Sequence, residues 1–312
     1  MGNTFYMNWE PALMEWIQSF MGPFLTTVAS ICTMFGEEMI LLAVLGFLYW
    51  VYDKKYAQYV GDNLVFGITL NPMVKNLVLR LRPYMVHDQI RCLKPVDSSA
   101  DIYDIGAQGY SFPSGHSLNS VVVYGSIARY QNTVKKKPVL WITLGAVLLP
   151  LFVGISRFMV GVHYPTDVLC GWILGAAIVL LEPLLRQALK KRWLFHLVLI
   201  ILALPGLFYC RTSDYFTGLG MMIGFFLAVP FEEKYVNFEN TRNIIRGILR
   251  VAGGFAVYFG LNSLLKLPFS KDFLSSGTLL AYCVRTVRYA IVVFVMMGVY
   301  PMLFKFWKSS PK

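Results

Sequence analysis

The stretch "GYSFPSGHSLNS", from Gly109 to Ser120, sets a turn of Pro, Ser, Gly and His directly before a long apolar run. Ser114 and Gly115 then fall at the start of the helix that the run predicts. Free backbone N–H groups at a helix start point outward, and the helix dipole favours an anion there. Taken alone, the stretch is equally well read as an ordinary N-cap, with Ser114 capping and His116 incidental. Which reading holds depends on the partners that the rest of the chain supplies.

The surroundings are those of a membrane protein. The 312 residues are 56% hydrophobic and 14% charged, against about 25% charged in an ordinary soluble domain. A spanning helix needs about 20 apolar residues, and such runs are expected at 36–52, 56–79, 114–132, 138–158, 164–186, 193–209, 215–231, 243–265 and 277–304. The fold class predicted is an all-α polytopic membrane bundle. Residues 1–35 read differently: Trp9 to Met34 is amphipathic, is broken at Gly22-Pro23 and carries Glu15 and Gln18, so it is expected to lie at the interface. No basic region, apolar core and cleavage site mark a removable signal peptide at the start.

The net charge of +11 would suggest nucleic acid as a partner of a soluble protein. Here the basic residues concentrate in short loops: Lys54 and Lys55, Lys135 to Lys137, Arg186 with Lys190 to Arg192, Lys234 with Arg242, and Lys305 with Lys308. That alternation sets topology, so the expected partner is the bilayer and not nucleic acid. The predicted orientation has the N-terminus outside and the C-terminus inside. The five cysteines, Cys32, Cys92, Cys170, Cys210 and Cys283, form no C-x-x-C pair, which excludes a zinc knuckle or redox motif of that kind. Cys92 and Cys210 share one side of the predicted topology, which leaves a bridge between them open.

Three polar clusters fall at the outer ends of the second to fifth spans. "KNLVLRLRP" brings Lys75 and Arg82, "PSGH" brings Ser114, Gly115 and His116, and "SRFMVGVHYPTD" brings Ser156, Arg157, His163 and Asp167. A snorkelling lysine or an anchoring arginine explains any one of the cations. Three cations around one polar rim instead suit an oxyanion, and the planar fork of arginine can hold two phosphate oxygens. His163 and Asp167 are four apart, and Pro165 fits the first helical turn. A carboxylate on one imidazole nitrogen would fix the tautomer and free the other nitrogen to attack. Two histidines and an aspartate also suggest a metal, but three neighbouring cations would repel a divalent ion. A 30-residue polar loop, 83–112, joins the first two clusters on the same outer face. A loop of that length is a candidate for a functional role, and its Asp97, Asp101 and Asp104 are expected to be solvated.

The order K-x6-RP, PSGH, SR-x5-H-x3-D resembles the type 2 phosphatidic acid phosphatase superfamily, which includes membrane lipid phosphate phosphatases and soluble vanadium haloperoxidases. It stands here as Lys75…Arg82-Pro83, Pro113 to His116 and Ser156-Arg157…His163…Asp167. The resemblance covers about residues 1–209 and implies a six-span core at 36–209. Residues 210–312 would be additional transmembrane helices. It implies that His163 is a nucleophile forming a phosphohistidine, that Asp167 orients it, and that His116 protonates the leaving alkoxide. Lys75, Arg82, Arg157, Ser114 and Gly115 would hold the phosphoryl oxygens, with no cofactor or metal required. The implied function is a phosphoric ester hydrolase acting on a membrane lipid phosphate or pyrophosphate at the extracytoplasmic face. A bacterial plasma membrane is the expected setting, or a lumenal face in a eukaryote.

Two other functions stay open on the sequence. A lipid-linked phosphotransferase would use the same phosphohistidine with another acceptor. A lipid or anion transporter would use the basic rim as an anion site, and the polar second span, with Asp62, Asn63, Asn71 and Pro72, has that character. In the last stretch, Arg285 and Arg288 are three apart on one helical face. They are either a second headgroup contact or an interfacial anchor.

Overall fold

The computed structural model describes residues 2–307. Met1 and residues 308–312, including Lys308 of the last basic loop, lie outside the described residues. The nine apolar segments all form helices, and the described residues hold no strand beyond one isolated bridge between Asn3 and Arg80.

Among the described residues, eleven α-helices have ten residues or more. In chain order they are α1 Trp9–Ser19, α2 Pro23–Met34, α3 Glu38–Phe47, α4 Lys54–Val78, α5 Gly115–Arg129, α6 Leu140–Met159, α7 Pro165–Leu189, α8 Arg192–Ala203, α9 Ser213–Phe231, α10 Ile244–Leu264 and α11 Leu279–Phe294. Among the described residues, six helices are long and apolar enough to cross a membrane: α6, α7, α8 with its continuation to Tyr209, α9 with its continuation to Val236, α10, and α11 with its continuation to Phe306. A seventh crossing results when α2 and α3, the latter continued to Tyr52, are taken as one span bent by 46°.

α4 and α5 are helices where the sequence places its second and third spans, but they are too polar to pass that test. Their surroundings explain why. Asp62, Asn63, Asn71 and Asn76 on α4 are all buried, as are Ser117, Ser120 and Ser126 on α5. These helices face other helices and not lipid, so their side chains find partners inside the bundle. The polar residues of α4 are engaged in this way. Asp62 accepts from Arg186 at 2.8 Å and faces His196 Nε2 at 3.1 Å, Asn63 donates to Ser126 at 2.9 Å, and Asn71 donates to the Pro113 carbonyl at 3.2 Å.

The segment before residue 36 divides at Gly22-Pro23, where Pro23 opens a new helix. α1 turns Glu10, Met14 and Gln18 inward, while Glu15 and Ser19 stay exposed. The Gln18 side chain donates to the Arg91 and Met159 carbonyls at 2.9 and 3.2 Å. At the bend between α2 and α3, Gly36 packs on the Cβ of His116, and Tyr124 donates to the freed Phe35 carbonyl at 2.9 Å.

Helices in a bilayer gain little from hydrophobic transfer against one another and rely on close backbone approach. Three glycine-lined helix contacts supply it. Gly171 and Gly175 of α7 meet the Ser114 and Leu118 carbonyls of α5. Gly218 of α9 meets Ile68 and Thr69 of α4, while Gly220 and Gly224 meet the Thr286 and Ala290 carbonyls of α11. The C-terminal helices are therefore packed into the body of the molecule through α9. All five cysteines are free, Cys92 and Cys210 included.

A β-branched side chain at the α9–α11 seam should force the helices apart. Gly224→Val is expected to cost about 1–3 kcal/mol, the usual range for overpacking. The check is thermal unfolding in detergent, which should show a lower midpoint than the wild type.

Candidate active site

The glycine contact between α5 and α7 sets two helix N-termini side by side. The Ser114 N–H donates to the Asp167 carbonyl at 3.0 Å. Ser114 caps α5, and Ser117 Oγ donates to its Oγ at 2.9 Å. Gly115 faces Asn71, which holds the turn through Pro113. The PSGH turn of α5 and the His163–Asp167 stretch entering α7 are thus brought together, as the spacing predicts.

Asp167 is fully buried and its oxygens are occupied. Oδ1 accepts from Arg80 Nη1 at 2.7 Å, and Oδ2 accepts from Ser111 Oγ at 2.5 Å and the Tyr164 N–H at 2.8 Å. His163 Nδ1 stands 3.4 Å from Oδ2 without hydrogen-bonding geometry. The dyad is adjacent, and a small rotation of the ring would close it. Catalytic hydrogen bonds commonly lengthen in this way when no substrate is bound.

Arg80 is the residue that the sequence reading passed over. It lies two positions before Arg82 in "RLRP" and is fully buried. Its guanidinium bridges Asp167 and Glu10, the second contact at 2.8 Å, and it lies between the rings of Phe5 and Tyr164, 4.5 and 3.9 Å from their centroids. Glu10 in turn accepts from the Thr166 N–H at 3.0 Å and Oγ1 at 2.6 Å. Asn3 exchanges backbone hydrogen bonds with Leu79 and Leu81, which fixes the segment on both sides of Arg80. The only sequence signal was an arginine within an apolar run. Its acidic partner, seventy positions upstream, has no recognisable spacing.

The remaining cations divide by partner. Arg82 donates to three carbonyls, Gln108 at 2.6 Å, Gly109 at 3.0 Å and Val162 at 2.9 Å, and so ties the outer loop to the turn before His163. Arg157 donates to Thr33 at 2.9 Å, and its Nε is buried without a partner. Lys75 has neither a hydrogen bond nor an ion pair among the described residues. His116, Lys75, Arg82, Arg157 and His163 are close enough for each to feel the others' charge. Burial, and then Arg82, Arg157 and Lys75, push the His163 imidazole well below its ordinary range. A ring held neutral keeps the lone pair that a nucleophile requires.

Residues 83–112 fold into hydrogen-bonded turns, with Asp101 and Asp104 exposed and Asp97 partly exposed, in line with the expectation that these carboxylates are solvated. Gln108 accepts from the Val96 and Asp97 N–H groups at 3.0 and 3.2 Å. Asp97, Asp101 and Asp104 each accept from a backbone N–H two residues on. The loop lines a cavity of about 580 Å³ with Lys75 and Arg82. Among the described residues, no three His, Cys, Asp or Glu side chains gather as a metal-binding group.

The fold and site together define a helical membrane protein with two histidines and a carboxylate beside a cluster of buried cations. Residues 55–191 match the model of the PAP2 superfamily, and residues 216–312 match that of the PAP2 superfamily phosphatase transmembrane extension. The chain belongs to the PAP2 superfamily. It is 28% identical over 149 residues to an undecaprenyl-diphosphatase of Sulfolobus acidocaldarius, covering 47% of this chain and 64% of that one. It is 33% identical over 138 residues to phosphatidylglycerophosphatase B of Bacillus subtilis, covering 41% and 58%. A decaprenylphosphoryl-5-phosphoribose phosphatase of Mycobacterium tuberculosis is 28% identical over 174 residues, covering 54% and 86%. The chain thus spans about three-fifths of the length of the first two relatives. The crystal structure of a transmembrane PAP2-type phosphatidylglycerolphosphate phosphatase from Bacillus subtilis is 28% identical and covers 56% of this chain and 85% of that chain, with a TM-score of 0.41.

Removing Arg80 leaves Asp167 and Glu10 buried without their shared cation. Breaking a buried ion pair from one side costs about 3–5 kcal/mol. Arg80→Met should therefore lower the unfolding midpoint in detergent. Arg80→Lys, which lacks the fork that spans both carboxylates, should recover only part of the loss.

Proposed function

We propose that the chain is a membrane lipid phosphatase that hydrolyses a lipid phosphate monoester or pyrophosphate through a phosphohistidine on His163. The observation that carries this reading is the buried His163–Asp167 pair beside Arg157, whose Nε is buried and unpartnered. An unpaired guanidinium nitrogen next to a neutral imidazole suits an incoming phosphoryl group.

The steps are as follows. With Nδ1 facing Asp167, Nε2 of His163 attacks phosphorus, and the bond to the lipid oxygen breaks. His116 gives that oxygen its proton and then takes one from water, which attacks the phosphohistidine and releases inorganic phosphate. Lys75, Arg82 and Arg157, with the Ser114 and Gly115 amides, hold the equatorial oxygens, over which the charge spreads in the transition state. The reaction needs no metal, because fixed cations supply the charge that a divalent ion would bring. The site lies at the extracytoplasmic interface, where a lipid tail stays in the bilayer while its phosphate reaches the basic rim.

His163→Ala should lower phosphate release by about 10³-fold or more, as for a nucleophile acting within a coupled unit. Detergent-purified protein assayed on lipid monophosphates and a polyprenyl diphosphate, with EDTA present, provides the measurement. Wild-type rates in the variant would overturn the mechanism, and loss of activity with EDTA that a divalent ion restores would overturn metal independence. A phosphotransferase would instead show release only with an added acceptor, and a transporter would leave the ester intact.

The acidic limb of the pH profile follows from the shift on His163. As pH falls the imidazole gains a proton and loses its lone pair. Burial and the neighbouring cations oppose that proton, so the loss begins at lower pH than for an ordinary histidine. The acidic limb of kcat/KM assigned to His163 is expected below about pH 6.5, the unperturbed value. A limb at or above that value, absent from profiles of substrate ionisation alone, would contradict it.

A further inference from the structure

The extension forms part of the wall of the reaction centre. Two cavities, of about 340 and 580 Å³, open between it and the core. The smaller is bounded on the core side by Gly115, His116, Asn71 and the carboxyl-bearing Glu38, the larger by Lys75, Arg82 and Asp104; neither Glu38 nor Asp104 makes an ion pair with Arg285 or Lys75 among the described residues. The residues that line both are Ser213, Asp214 and Arg285, and all three come from the C-terminal region. Arg285 therefore stands where the side of the proposed leaving-group acid meets the side of the phosphoryl clamp.

The cations of this chain contrast sharply in their partners. Arg80 has Asp167 and Glu10, and Arg186 has Asp62 and Glu182. Arg285 has no ion pair among the described residues, and its one hydrogen bond, to Thr217, is long at 3.4 Å. Arg288, one turn further along α11, is buried, and its Nε has no partner. Lys75 across the cavity is likewise unpaired. Asp214 lines the same junction, but its Oδ1 accepts the Tyr215 N–H at 2.9 Å, and it makes no ion pair with either cation. A cation at membrane depth without an anionic partner is costly, and it points to a ligand that completes it.

We propose that Arg285, facing Lys75 across the junction, forms a second anion subsite that receives a second phosphate of the lipid headgroup. The subsite is assembled from core and extension together. It makes the extension a specificity element of the site, selecting headgroups with two phosphates, whether joined as a diphosphate or separated by a short polar link. This proposal rests on the phosphatase reading above for its turnover measurement. The guanidinium of Arg285 can hold two oxygens of the distal group while the reacting phosphoryl sits at Lys75, Arg157 and the α5 N-terminus.

The test uses the full chain and three substrates of matched tail: a monophosphate, a diphosphate, and a monoester carried beyond a phosphodiester. For Arg285→Gln, KM for one or both two-phosphate substrates should rise about 10-fold or more, the range for losing a charge-assisted contact. Kinetics on the monophosphate should stay within about twofold, which also reports that the variant is folded. Arg285→Lys should recover part of the preference. Which two-phosphate substrate responds distinguishes the joined from the linked headgroup. Equal effects on all three substrates, or none on any, would overturn the proposal and leave Arg285 as an anchor.

Binding of a methylene-diphosphonate lipid, measured without turnover, separates this proposal from the phosphatase reading. Weaker binding by Arg285→Gln, with unchanged binding of a monophosphonate, supports the subsite even if the wild type releases no phosphate. Equal binding of the diphosphonate by wild type and variant overturns it.

Discussion

Two buried carboxylates, Glu10 and Asp167, share one buried guanidinium, and much of the site depends on that arrangement. An unpaired buried charge is costly, and Arg80 pairs both carboxylates at once. Arg80 thereby joins the first helix to the start of α7, while stacking between Phe5 and Tyr164 fixes its plane. Asp167 is left with one oxygen toward Ser111, the Tyr164 amide and His163. Arg80 thus holds Asp167 in place, with its Oδ2 3.4 Å from His163 Nδ1. Buried ion pairs add little net stability over apolar packing, and what this one does in the structure is tie the first helix to the start of α7.

Close backbone contacts do the remaining assembly. Gly171 and Gly175 draw α5 against α7 and bring Ser114 to Asp167, while Gly36 lets the α2–α3 bend rest on His116. Gly218, Gly220 and Gly224 draw α9 between α4 and α11. In a bilayer, where apolar side chains gain little by leaving lipid for protein, such approaches supply packing that larger residues would prevent. The same seams that hold the bundle together also set the walls of its cavities.

The buried charges then sort by whether they are satisfied. Asp62, Arg186, Glu182 and His196 form one network of ion pairs and hydrogen bonds beside α4, in which Glu182 Oε2 keeps no partner, and Arg80 joins Asp167 and Glu10 in another at the site. At the cavities Lys75 and Arg285 lack ion pairs among the described residues, while Arg82 is tied to three carbonyls; Arg157 and Arg288, like Arg192 and Arg250, keep a buried, unpartnered Nε. Satisfied charges hold a membrane protein's shape, and open ones mark where an anion is expected.

The sequence by itself determined the all-α bundle, the limits of its helices to within a few residues, and the clusters at Lys75–Arg82, Ser114–His116 and Arg157–Asp167. These are local signals, written in runs of apolar residues and in spacings of a few positions. Polar α4 and α5 were legible as helices, but their central burial was not, since a buried and a lipid-facing helix differ in what surrounds them. The tertiary structure alone decided that Glu10 and Arg80 hold Asp167, that Arg82 is tied to three carbonyls, and that the extension reaches the site through Arg285. Each of these joins residues tens to hundreds of positions apart through side-chain geometry. No periodicity along the chain records which distant charge will stand opposite which.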